Sequence, residues 1–204
     1  MNEAREGSLT NLIRAMVDSS VKNLLNSQSD ILKFTNETSP TEWNLSHHFA
    51  NELKKYLFWL DHDLDVTKRN YDNKRPDIIF HKRGCNALNF LVVEMKRKEH
   101  DKASDINKIQ RDWMDEPLAY SYGAYVNIWA PNDFTAVVFS RHGLAPELTP
   151  DNTVYLRPPN VSNRVLLEFR DLVAEVLKIG QQGGSNTTEA THRLETTIAS
   201  YYSA

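Results

Sequence analysis

The sequence predicts an α/β domain in which a central mixed β-sheet is flanked by helices. Three observations carry that prediction. Segments with apolar residues at helical spacing stand near both ends of the chain. Between them lie short runs rich in Val, Ile, Phe and Tyr, bounded by Gly, Pro and Asn. One more helical segment interrupts those runs, and a sheet covered on both faces is the economical way to bury all these apolar sides.

Each element has its own signal. Leu9, Leu12, Ile13, Met16, Val17, Val21, Leu24 and Leu25 recur at i, i+3, i+4 and i+7, so a helix is expected over 8–26 with Ser8 as its N-cap. Pro40 can open a second helix running to about Leu60, with Leu45, Phe49, Leu53, Tyr56, Leu57 and Leu60 on one side. Asp65 to Tyr71 reads as a weak strand and Pro76 to Phe80 as a second. A turn around Gly84 and Asn86 leads into a strongly apolar strand, Leu88 to Lys96. Ser104 or Asp105 is expected to cap a helix to about Tyr122, with Gly123 ending it. Ala124 to Ala130 and Phe134 to Ser140 read as strands, and Asn152 to Arg157 as a short edge strand. A last core helix is expected over 161–179, with Val165, Leu166, Phe169, Leu172, Val173, Val176 and Leu177 inward. Residues 1–179 thus form a single domain, its core at about 40–140. Residues 180–204 read as a flexible break and a tail helix that can dock through Ala190, Leu194, Ile198 and Tyr201.

Composition excludes several classes. The chain has 204 residues, 40% hydrophobic and 25% charged, the mix of a globular protein. Its one cysteine, Cys85, rules out an intrachain disulfide and a Cys-rich zinc site. No apolar run approaches the roughly 20 residues of a membrane span, and residues 1–7 lack a signal-peptide core. A cytoplasmic protein with no membrane contact is expected. No Gly-x-Gly-x-x-Gly or Walker-type loop is present, so nucleotide chemistry has no support. Net charge is −3 but unevenly spread: Val66 to Lys102 holds ten Lys and Arg against five acids. Segregated positive charge can mark a polyanion surface.

The chemistry centres on Asp77, Glu94 and Lys96. Strand side chains alternate, so Glu94 and Lys96 share a face with Phe90 and Val92, while Leu91, Val93 and Met95 take the other. An apolar strand therefore turns polar on one side only at its end. Pairing Asp77 with Glu94 in a hairpin centres the connection between Cys85 and Asn86, inside the turn already read there. The two carboxylates then stand about 5 Å apart at Cβ. Such a pair repels unless a cation lies between, and two oxygen ligands without thiol or imidazole suit Mg²⁺ or Mn²⁺. A metal so held can contact a phosphate oxygen and a water together. Lys96 can orient that water or stabilise the developing anion. The reaction class is phosphodiester hydrolysis.

Pro76-Asp77, followed 17 residues later by Glu94-Met95-Lys96, resembles the PD-(D/E)xK nuclease superfamily of restriction and repair endonucleases. The likeness covers about Thr41 to Phe139. It implies a restriction-endonuclease-like core and a Mg²⁺-dependent endonuclease acting on DNA. Asp77 and Glu94 would be metal ligands, the Met95 carbonyl would assist, and Lys96 would be the catalytic lysine. The family often adds an acid from the preceding helix. At 100° per residue, Glu42 lies at about 0° with Leu53 at about 20° and Phe49 at about 340°, while Glu52 lies at about 280°. Glu42 is therefore expected to face the sheet and join the site, with Glu52 as the alternative, nearer solvent. Gln110 resembles a glutamine that some branches use. Arg97, Lys98, Lys74 and Arg75 are the expected nucleic-acid contacts. Trp43, Trp59, Trp113 and Trp129 are expected in the core. A non-catalytic DNA-binding or assembly module with a vestigial site is the rival reading; retention of Asp77, Glu94 and Lys96 together favours the enzyme. A homodimer or a partner subunit that supplies the target stays open.

Overall fold

The first helix already departs from its expected start. In the computed structural model, which describes residues 3–28, 31, 42–68, 73–97, 102–130, 132–141, 143–144, 148–181 and 187–203, α1 spans Glu3–Ser27. Ser8 therefore lies inside the helix and does not cap it. Leu9, Ile13, Met16, Val17, Val21 and Leu24 are buried as expected, but so are Asp18, Ser19 and Ser20 on another side. Ser20 Oγ turns back on the Met16 carbonyl at 2.7 Å, while Asp18 and Ser19 hold the segment expected to be an edge strand over 152–157. Asp18 accepts the Val154 N–H, Ser19 Oγ accepts the Leu156 N–H at 2.6 Å, and the Leu156 carbonyl takes the Tyr56 hydroxyl at 2.7 Å. The segment is no strand: its backbone groups are satisfied by side chains, and a 3-10 turn, Pro150–Asn152, precedes it.

Helix α2 spans Glu42–Lys54 and stops short of Leu60. Pro40 lies outside the described residues. After Lys54 the chain turns back, still burying Tyr56, Leu57, Trp59 and Leu60. Strand β1 is Asp61–Leu64, ahead of the 65–71 expected. Its polarity hid it, since Asp61 and Asp63 make cross-strand ion pairs with Lys82 (3.0 Å) and Arg83, and Asp63 also hydrogen-bonds His81 at 2.8 Å. Asp65, at φ 51°, takes the chain out of the strand through the left-handed region.

Strand β2 is Ile78–His81 and β3 is Asn89–Lys96. They are antiparallel, with Ile78 opposite Val93, Ile79 opposite Val92 and Phe80 opposite Leu91. That is the expected register, one step in from Asp77 and Glu94. Gly84, at φ 89°, makes the turn. A bulge opposite Phe80 and His81 inserts one residue into β3 and turns Phe90 from the expected Val92 face to the face of Leu91, where it meets Trp59 and Tyr122.

Helix α3, Lys102–Ile109, runs directly into a π-helical turn, Gln110–Met114, and ends there rather than at Tyr122. Ser104 and Asp105 lie inside it. Strand β4 is Tyr122–Ala130, β5 is Asp133–Ser140 and β6 is Gly143–Leu144. Gly123 belongs to β4 and ends no helix. A Cβ there would lie 2.6 Å from the Phe139 ring and 2.8 Å from Ile109, so glycine lets α3 sit close on the sheet. The sheet runs β1-β2-β3-β4-β5-β6, with only β3 and β4 parallel. Helix α4 spans Asn163–Gln181, and α5 spans Thr187–Ser203. Phe169, Val173 and Val176 of α4 are buried, whereas Leu166 is exposed. Ala190, Leu194 and Ile198 of α5 enter the same core, so the tail helix docks; 182–186, most of the expected break, lies outside the described residues.

The sheet thus has a core on each face. Helices α1, α2, α4 and α5 cover one. The other is smaller: Ile109, Trp113 and Met114 from α3 and its π turn pack on Ile79, Val92, Tyr125, Val137 and Phe139. Among the described residues no helix is long and apolar enough to cross a membrane.

Candidate active site

Asp77 stands immediately before β2, and Glu94 to Lys96 close β3. The register explains how the backbone becomes available there. The residue that would continue the ladder opposite Met95 is Pro76, which has no N–H. Met95 N–H donates instead to Asp77 Oδ2 at 2.7 Å. The N–H and carbonyl of one strand residue point to the same edge, so the Met95 carbonyl also faces the β2 edge, where Pro76 has no ladder donor to offer it. Proline thus ends the pairing where the first carboxylate begins.

Glu94 is only 1% exposed. Its Oε1 accepts the Trp113 indole N–H at 3.2 Å, and its Oε2 accepts from the Lys108 ammonium at 3.1 Å. Neither partner was singled out from the sequence, and the π turn is the reason. Five positions on an α-helix lie about 140° apart, so Lys108 and Trp113 belong to different faces by ordinary periodicity. The π turn, closed by Asp115 N–H to the Gln110 carbonyl at 3.1 Å, holds one extra residue and returns both to the side of Glu94. The only sequence trace is a Lys and a Trp after the Glu-x-Lys strand.

Lys96 donates to Glu42 Oε1 at 3.0 Å. Glu42, the first residue of α2, is therefore at the site, though half exposed. Glu52 is not in solvent as expected. It is buried, and it pairs with Lys55 at 2.6 Å. Gln110 is exposed on the π turn.

The electrostatics follow from this crowding. Burial pushes the Glu94 carboxyl up to about 7, and the neighbouring Asp77 adds to the shift while Lys108 and Lys96 oppose it. Burial also raises Asp77, against the Met95 N–H and Lys96, with Glu42 adding to the rise. Burial alone would lower the Lys96 ammonium, but the Glu42 hydrogen bond and the charges of Asp77, Glu42 and Glu94 outweigh it and raise it. Lys96 is held as a cation beside two carboxylates that resist sharing negative charge.

The expected phosphate contacts fare differently. Lys74 pairs with Asp112 at 2.9 Å and Arg75 pairs with Asp65. Lys82, Arg83 and Lys96 pair with Asp61, Asp63 and Glu42. Five of the ten basic residues in 66–102 thus meet acids from outside it, so segregation along the chain is not segregation in space. Arg97 is half buried at the end of β3, and Lys98 lies outside the described residues. Trp59 and Trp113 are buried as expected, but Trp43 beside Glu42 is 52% exposed and Trp129 at the end of β4 is 47% exposed.

The donor set at the strand ends is all oxygen: two carboxylates and one carbonyl. Among the described residues no three Asp, Glu, His or Cys side chains converge into a metal cage. Two carboxylates with solvent completing the shell fit Mg²⁺ or Mn²⁺, which are seldom fully enclosed by protein. Comparisons with protein-family models, with curated proteins and with solved structures find no match to this chain.

Proposed function

We propose that this chain is a Mg²⁺- or Mn²⁺-dependent endonuclease of the cytoplasm that hydrolyses DNA phosphodiester bonds, on a core related to the PD-(D/E)xK nucleases. One observation carries the reading. Continued one step beyond Ile78 and Val93, the register sets Asp77 opposite Glu94 at a ladder ended by Pro76, with Lys96 two residues along the strand. Asp77, Glu94 and the Met95 carbonyl would hold the ion, which when bound acidifies a water and neutralises charge on a phosphate. Lys96 supplies a cation to orient the nucleophile and stabilise the developing anion. Glu42 is a positioning residue, since its hydrogen bond keeps Lys96 charged and aimed along the strand end. Trp113 fixes the orientation of Glu94 from the buried side.

The test is incubation of the protein with duplex, single-stranded and branched DNA, each with Mg²⁺, Mn²⁺ or chelator, beside Lys96→Ala. Metal-dependent cleavage lost in the variant supports the reading. Absence of cleavage in every form with either metal overturns it, and DNA binding without cleavage points to a non-catalytic module.

A further inference from the structure

The two oxygens of Glu94 have partners of opposite kinds. Trp113 is fully buried, and its indole N–H is anchored in the smaller core. Lys108 is 39% exposed at the side chain, on a helix whose outer face meets solvent. A buried carboxylate without a cation is costly, so Lys108, the ammonium bonded directly to it, compensates Glu94, with Lys96 adding from along the strand. It is also the partner that can leave, because a long lysine stem can swing its head into water at little cost. The indole has no such route.

We infer that Lys108 is a placeholder for the metal: it neutralises Glu94 in the empty site and surrenders Oε2 to the divalent ion when the site is loaded. The inference rests on the nuclease reading above. Binding of the ion is then an exchange of one cation for another, with Trp113 holding Oε1 throughout. The displaced ammonium stays tethered to α3 at the site's edge. Two effects make Lys108 oppose the metal, competition for the same oxygen and repulsion between like charges. Removal of the ammonium therefore strengthens metal binding, whereas a lysine that merely propped up the fold would weaken it.

The experiment is calorimetric titration of Mn²⁺ and Mg²⁺ into the protein without nucleic acid, at about pH 8.5 so that Glu94 is ionised. It compares wild type, Lys108→Met and Lys108→Arg, each first checked for its fold by circular dichroism. Lys108→Met is expected to bind on the order of ten-fold tighter, the scale of one charge-assisted hydrogen bond partly open to water. Lys108→Arg keeps the competing charge and should bind no tighter than wild type. Unchanged or weaker binding by folded Lys108→Met overturns the exchange and leaves the nuclease reading standing. No binding of either ion by wild type or Lys108→Met removes both.

Discussion

Two buried carboxylates, on opposite sides of the sheet, show how differently the same burial can be used. Asp18 of α1 is fully buried and its pKa is raised by burial, like that of Glu94. Its hydrogen-bond donor is the backbone N–H of Val154, and its nearest cation, Lys22, stands 3.8 Å away on the same helix. Glu94 bonds only to side chains, one rigid and one half exposed. A backbone N–H cannot depart without unfolding its segment, so Asp18 is a clamp. Side-chain partners can be exchanged, and that is the property the proposed metal site needs of Glu94. Burial and a raised pKa are common to both; the kind of partner separates them.

That contrast is broken most severely at the site. Asp77→Asn or Glu94→Gln is expected to abolish metal-dependent DNA cleavage, measured by gel assay, while Asp18→Asn leaves it near wild type. Full activity in either site variant would end the metal-site reading. Next in size is Lys96→Ala, expected to slow cleavage on the order of a hundred-fold with metal affinity by calorimetry little changed. Loss of metal binding in that variant would make Lys96 part of the metal's support.

The stability effects are smaller, and they separate the two acids by pH. The Glu94 carboxyl is raised from 4.5 to about 7 on folding. Its contribution to stability is therefore fully present below about pH 4.5 and is lost as pH rises through about 7. Glu94→Gln should gain on the order of 2 kcal/mol over wild type between pH 5 and pH 8.5 in urea unfolding, and Mg²⁺ should narrow that gap in wild type only. A gap that is the same at both pH values would contradict it. Asp18→Ala should instead cost about 1–3 kcal/mol, because the Val154 N–H loses its partner. Thermal melts would show it, and an undiminished melting temperature would mean that water replaces the carboxylate. The smallest effect is expected from Glu42→Gln, which keeps a hydrogen bond to Lys96 but loses the charge. Its cleavage rate should fall by a few-fold to about ten-fold, while Glu52→Gln stays near wild type. The reverse order would move the additional acid to Glu52.

The sequence made this hairpin legible because its information is local. Pro76, the turn at Gly84 and the apolar run to Met95 together admit one register, and alternation does the rest. Helical phase put Glu42 near Lys96, but it read the burial of both acids in reverse: Glu42 is exposed and Glu52 is buried. What escaped notice depended on departures from ideal periodicity or on polar pairing. Lys108 and Trp113 meet Glu94 only through a π turn. Asp61 to Leu64 looks like a loop until the opposing Lys82, His81 and Arg83 are in place. Residues 152–157 read as a strand, yet the hydrogen bonds of Val154 and Leu156 go to side chains of α1 and to Tyr56. Half of the basic residues in 66–102 are paired for the same reason, with acids distant in the chain.

The π turn also decides which changes in length this part of the chain can take. Its extra residue is what sets Trp113 on the side of Lys108. Deleting Gln110 would let the turn close as an ordinary α-helix with the tryptophan four positions after Lys108, still facing Glu94. Inserting one residue there would add about 100° and take the indole off Glu94 while Lys108 stayed in place. Near-ultraviolet circular dichroism should report a displaced indole in the insertion and a native-like one in the deletion. A codon lost at this point would be absorbed, and a codon gained would act as a phase error that costs the buried acid its fixed side.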